Sequence, residues 1–213
     1  MIAIPNGSTI AIAASYGTVK MMSAVSNANP ASATLETGHA VAAGDYLEVT
    51  SGWEHLNDKV VRAGTVSSSE VGLLGIDTTL TGAYPAGMCE GSVREILTWA
   101  ALTQVLTSAA SGGEQQYKEF QFLESDHQKR VPTVKTALTL TFTVADDITL
   151  PGYLAACAAN DEKTARAIKV TYPNGSMIVY NAFVSVNKTP SMSINDVMAC
   201  TITLAVVAEP VRY

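Results

Sequence analysis

Charge is scarce in this chain. Only 15% of its 213 residues are Asp, Glu, Lys or Arg, against 47% that are hydrophobic. That balance excludes a disordered chain. It also leaves much of the surface neutral and fit to meet copies of itself. Basic residues are the scarcer sign, 13 against 19 acidic ones, for a formal net charge of −6. They are scattered, and the densest spot, Lys129-Arg130, is flanked by Glu124, Asp126 and His127. Tight nucleic-acid binding needs clustered Lys and Arg and is disfavoured; sliding contact with a polyanion that should not stick is not. Cysteine is scarce too. Cys89, Cys157 and Cys200 are far apart and no CxxC occurs, so neither a disulfide framework nor a zinc site is signalled. Cys157 and Cys200 sit in apolar patterns and read as small core residues. No apolar run approaches the length of a membrane span. The opening MIAIPNGSTIAIAAS has no basic region, and Pro5-Asn6-Gly7 interrupts it, so a signal peptide is not expected and the protein should be made and kept in a cytoplasm.

The chemistry of catalysis is thin as well. His39, His55 and His127 lie in polar, loop-like contexts without ligand spacing and are expected at the surface. Asp146-Asp147 are adjacent acids after a strand, so their carboxylates point apart and do not converge on a metal. No phosphate-cradling loop is present, and no cofactor is expected. Gly87-Met88-Cys89-Glu90-Gly91 has the form of a nucleophile elbow with cysteine for serine. An elbow needs a buried strand before it, and Thr81–Ala86 is none. A glycine-rich linker is the better account, and no enzyme is expected.

What is present is β-structure. Ala165–Val186 is the best-specified stretch. Ile168, Val170 and Tyr172 alternate with Ala167, Lys169 and Thr171, the period of a half-buried strand. Pro173-Asn174-Gly175 then predicts a type I turn closed by a glycine bulge, with a two-residue Asn-Gly turn as the alternative. After it, Ile178, Tyr180, Ala182, Val184 and Val186 share one face. Val134–Val144 is a strong strand, with Leu138, Leu140, Phe142 and Val144 opposite Thr139, Thr141 and Thr143. Val197–Val207 repeats the pattern, with Met198, Cys200, Ile202, Leu204 and Val206 opposite Thr201 and Thr203. These threonines predict a polar, uncharged sheet face, and such a sheet could continue edge to edge with copies of itself.

The remainder is less even. Residues 8–25 read as two strands around Tyr16-Gly17, and Asn27–Ala42 as a connection with one weak strand. Strands at Asp45–Thr50, Asp58–Val66 and Glu70–Ile76 predict a small curled sheet or barrel, and Thr78–Gly91 a linker leaving it. Ser92–Leu106 fits a helix and a strand equally. Thr107–Tyr117 reads as a soft loop, Lys118–Leu123 as a short strand, and Glu124–Pro132 as a charged loop. One helix is expected at about 149–163, with Thr149 as N-cap, Pro151 in its first turn, and Tyr153, Leu154, Cys157 and Ala158 on its apolar face. The class is mainly β: an antiparallel β-sandwich or barrel with one flanking helix and a small amino-terminal β-subdomain. The expected division is 1–26, then 27–91 as insertion and linker, then a 92–213 core with a long loop at 107–118.

The ordered set of the Asp146-Asp147 turn, the helix, AIKVTYPNGSMIVYNAFVSVNKTPS and a Thr-rich last strand resembles the major tail tube proteins of long-tailed, siphovirus-type bacteriophages. Type VI secretion tube proteins share that fold. Tyr172–Ser176 and Ala182-Phe183-Val184 match the family's order, as does SGGEQQYKEFQFLESDHQKRVPTVKTALTLTFTVADD upstream. The likeness covers residues 98–213 well and 1–97 less specifically.

The resemblance implies a structural virion protein. It forms stacked hexameric rings whose inner sheets join into a lumen that conducts double-stranded DNA without binding it tightly. It implies other tail partners (tape measure, tail terminator, tail tip), no membrane, and a place in the virion tail after assembly in the host cytoplasm. The family's long loop reaches the adjacent ring. Here that role falls to Ser108, Ser111, Gly112, Gly113, Glu114, Gln115 and Gln116, with Glu124, Asp126, Lys129 and Arg130 as further subunit contacts. Thr139, Thr141, Thr143, Thr201 and Thr203 become candidates for the lumen or another exposed face. Asp45–Asp77 would decorate the exterior or prop a subunit contact. A tail terminator, a connector or a secretion-system tube is the alternative within the same class. A β-sandwich binding module and a Cys89 hydrolase are the rivals outside it.

Overall fold

The computed structural model describes residues 6–213; Met1–Pro5, with the proline of the expected Pro5-Asn6-Gly7 break, lie outside the described residues. The strands in chain order are β1 (Thr9–Val25), β2 (Ala31–Leu35), β3 (Tyr46–Ser51), β4 (Val60–Val66), β5 (Glu70–Leu74), β6 (Gly91–Leu102), β7 (Val105–Ser111), β8 (Gln115–Phe120), β9 (Lys129–Lys135) and β10 (Thr139–Ala145). The helix α1 (Pro151–Glu162) follows, then β11 (Ala165–Thr171), β12 (Met177–Ser191), β13 (Ala199–Val206) and β14 (Val211–Arg212). The fold is mainly β, with one helix among the described residues and a large, curled antiparallel sheet in a sandwich- or barrel-like arrangement.

The sheet has two lobes that share β1 and β6. In the first, β1 pairs with β2, and the order continues β2-β5-β4-β3-β6-β1, which closes a ring. Its interior holds Met22, Leu47, Val49, Trp53, Val61, Val71 and Leu73, all almost fully buried. Residues 78–91 fold back onto this barrel: the Trp53 indole N–H donates to the Pro85 carbonyl at 2.7 Å and its ring meets Tyr84 edge-on. In the second lobe the order runs β6-β1-β11-β12-β13-β10-β7. Ile10, Ile12, Phe142, Ile168, Ile202 and Leu204 meet in its core. Helix α1 packs on β12, β6 and β1 through Gly152, Tyr153, Ala156 and Ala159.

The hairpin at Ala165–Val186 forms as its turn chemistry dictates. Tyr172 O accepts the Gly175 N–H at 3.0 Å, Tyr172 N–H donates to Ser176 O at 2.8 Å, and Gly175 stands at φ +83°. This is the type I turn with a glycine bulge. Nothing lies within 4 Å of where a Gly175 side chain would start, so a substitution there is strained by backbone conformation alone. Gly175→Val is expected to cost about 1–3 kcal/mol, lowering the melting temperature by about 2–4 °C per kcal/mol; an unchanged melting curve would refute the bulged turn.

Several expectations are corrected. Tyr16-Gly17 is no turn: β1 runs through it with register shifts between Ala13 and Val19, and the Tyr16 hydroxyl accepts the Ala167 N–H at 2.9 Å. Ser92–Leu106 is strand, because β6 is held between β1 and β3. The soft stretch at 107–118 is not a loop but most of β7 and the start of β8, paired with β10 and β9. The charged loop ends sooner than expected, at β9, and the strand expected at Val134–Val144 breaks between β9 and β10. Thr149 does not cap the helix. Its N–H and hydroxyl both donate to Asp147 Oδ1, which holds that carboxyl below its ordinary pKa, and Leu150 takes the cap position. The helix buries Tyr153 as expected, together with Gly152, Ala156 and Ala159 instead of Leu154 and Ala158, which are exposed. His39 is buried: its Nε2 meets Ser67 O at 3.2 Å and its Nδ1 accepts the Val41 N–H at 3.1 Å.

Candidate assembly interface

The candidate threonines are brought together. In β10 and β13, Thr141 stands opposite Thr203 and Thr143 opposite Thr201, while Thr139 faces Ala205. The rows extend across four strands: Asn187–Thr201–Thr143–Thr107, Ser185–Thr203–Thr141–Ala109 and Phe183–Ala205–Thr139–Ser111. No ionisable side chain stands in these rows. The opposite face of the same strands carries Leu140, Phe142, Val184, Val186, Ile202 and Leu204 into the core. Strict alternation thus separates a packed face from a neutral, hydroxyl-lined one.

This part of the sheet has two edges without a neighbouring strand among the described residues, the second partly capped by α1. β7 is the last strand of the order. On the other side β11 ends at Ala165 opposite Phe183, so β12 beyond that point has no strand beside it. There the Val186 N–H is met by Asn160 Oδ1 at 3.1 Å. The β7 edge, Val105–Ser111, has no proline or charged residue, the usual guards against edge pairing.

An arm leaves the end of this sheet marked by Ser111 and Thr139. Gly112 and Gly113 both take left-handed backbone angles, φ +83° and +79°, and a side chain on Gly112 would run into the Ala137 carbonyl. The ladder crosses this bend through Gly113 N–H to Thr136 O at 3.1 Å and Thr136 N–H to Glu114 O at 2.9 Å. Gln115 and Gln116 open β8, whose ribbon with β9 stands in solvent. Arg130 is paired with Glu119, and the Lys129 ammonium lies over the Phe122 ring at 5.5 Å. Glu124 and Asp126 sit exposed on the tip loop. Ser108 and Ser111 belong to β7 instead of the arm.

Exposed apolar residues stand beside these candidates, none of them named from the sequence as a contact. Phe122 and Leu123 project from the arm tip, and Met192, Ile194 and Val197 from the β12–β13 connection. Their signal was large apolar residues inside segments otherwise built of turn formers. Cys89 is buried, its sulfur accepting the Val25 N–H at 3.3 Å, and the chain after it is strand β6.

A sequence profile of the phage tail tube protein family matches residues 51–213. The chain belongs to that family. Its role is therefore structural, as a tail tube component of the virion, assembled in a tail with other phage proteins. The match spans part of the first lobe and all of the second except β1, so this tail tube protein carries the barrel strands β4 and β5 inside the family region. No curated protein matches the chain.

Proposed function

We propose that this tail tube protein assembles into hexameric rings that stack into the tube through which double-stranded DNA is delivered. The observation that carries this reading is the neutral, hydroxyl-lined sheet face flanked, among the described residues, by two edges without a neighbouring strand. The β7 edge of one copy continues beside the free part of β12 in the next, and the sheets close into a ring. The Asn–Thr and Ser–Thr rows turn inward, where they offer hydrogen-bonding groups without fixed charge. DNA passes such a wall without the counterion release that would anchor it. The arm at Gly112–Ala137 makes the contact between rings, with Glu124, Asp126, Lys129 and Arg130 at its outer end. The barrel lobe lies outside the wall. The protein works by collective geometry and uses neither a catalytic residue nor a cofactor.

Electron microscopy of the purified protein tests this. Rings or tubes with a central channel are expected at high concentration, or on addition of tail-tip components. A chain that stays monomeric under both conditions would sink the reading.

A further inference from the structure

The sheet of the second lobe has two ends, and each carries an exposed apolar cluster. At the end marked by Ser111, Thr139 and Ala205 the arm departs. Its ribbon has two strands, and none of its side chains joins either core. A ribbon of that kind is marginal in water without a partner. Its tip is nonetheless shaped. Phe120 and Phe122 meet edge-on at 5.3 Å, Phe122 O accepts the Ser125 N–H at 3.1 Å, and Leu123 is fully exposed.

At the opposite end, marked by Val105, Ala145 and Ala199, the connection 192–198 turns back. Ser193 O accepts the Asp196 N–H at 3.3 Å, Asp196 Oδ1 accepts the Val197 N–H at 2.8 Å, and Asn195 stands at φ +64°. This fixed turn holds Ile194 94% exposed at its apex, beside Met192 at 76%. A solvated turn would carry polar residues there. One opposite-charge pair is available across the two ends: among the described residues Lys129 at the arm tip has no acidic partner, and Asp196 and Asp147 at the loop end have no basic one. Glu124 and Asp126 also stand exposed on the tip loop.

We infer that the arm tip of one copy docks through Phe122 and Leu123 onto the 192–198 turn of a second copy of this chain. The inference rests on the tube reading and names the surface that receives the arm. Because the two clusters differ and lie at opposite ends of one sheet, the contact is head-to-tail and does not close on itself, the kind that builds an open stack. Reach permits it. From Ser111 to Leu123 an extended chain spans about 40 Å, against about 23 Å for β10.

The test uses three proteins: the unaltered chain, Leu123→Asp and Ile194→Asp, each checked for an unchanged melting temperature. Met192→Asp replaces Ile194→Asp if the latter misfolds. The unaltered chain is expected to give tubes, and each variant alone to give single rings. Leu123→Asp rings keep the receiving turn and Ile194→Asp rings keep the arm. Mixing them should therefore give paired rings and nothing longer. Tubes of normal length from Ile194→Asp, or a mixture with no paired rings, would overturn the docking while leaving the tube reading intact. Failure of the unaltered chain to form tubes would instead remove the tube reading and the docking with it.

Discussion

Replacing Glu114–Lys135 by an Asn-Gly turn is expected to leave the monomer folded and to abolish stacking. The arm contributes nothing to either core, since β9 is exposed along its whole length and β8 everywhere but at its half-buried ends, Gln115 and Phe120. The one ion pair lost to the body is Lys135–Glu209 at 2.6 Å. Both side chains are more than half exposed, and pairs of that kind are worth about 0–1 kcal/mol. Shortening the connection offsets some of that through loop-closure entropy. The melting temperature should therefore move by no more than about 4 °C. The cut is placed inside the glycine bend for a reason. Removing Ser108–Gln116 would also strip residues of β7 that pair with β10, and would damage the sheet edge as well as the arm. In the tube reading the excised protein still forms rings through its sheet edges, and microscopy should find rings without tubes. Tubes of ordinary length from this variant would show that the arm is not the contact between rings.

How far the sequence could be read depended on what set each element. Ala165–Val186 was legible because local chemistry decides it: Pro173, Asn174 and Gly175 each satisfy one corner of the turn, and the flanking strands alternate cleanly. β10 and β13 were legible by the same alternation, and β3 to β5 by their spacing. The arm was not. Between Thr107 and Tyr117 the stretch is Ser, Ala, Gly, Glu and Gln, without a β-branched or aromatic residue, and it is extended because β10 and β9 supply its pairing. Residues 92–106 satisfied both periods, and only their neighbours β1 and β3 decide between them. The closure of the barrel was hidden for another reason. One long strand, β1, serves both lobes, pairing with β11 at its start and with β2 at its end, and long-range pairing leaves no local signature. The helix face was read in part: Tyr153 and Cys157 pack inward as expected, but Ala156 and Ala159 complete the contact in place of Leu154 and Ala158. Of the candidate interface, the threonine rows were legible one strand at a time, since alternation names a face. That the rows align across β12, β13, β10 and β7 is a matter of register.

That alignment gives the second large prediction. Thr203→Lys places one positive charge in the middle of the neutral face, beside Thr141 and Ser185. Thr203 is half-buried among short side chains, and a lysine stem can lie along them with its ammonium in water. Folding and assembly should be little changed. The effect appears on DNA. In the tube reading the substitution repeats around each ring and along the whole stack, so the passing duplex meets a regular array of ammonium groups. Each phosphate neutralised releases counterions, and about 6–10 such contacts make binding change by roughly 10³–10⁵ between 50 and 200 mM salt. Ejection from particles built with Thr203→Lys should therefore stall at low salt and recover steeply as salt is raised. Thr203→Val, which removes the hydroxyl without adding charge, should eject normally. Leu97→Lys, a change at an exposed position of β6 outside the threonine rows, controls for added charge alone. Ejection by Thr203→Lys particles at the unaltered rate in low salt would mean that this face does not line the lumen, and the inward orientation of the sheet would have to be given up.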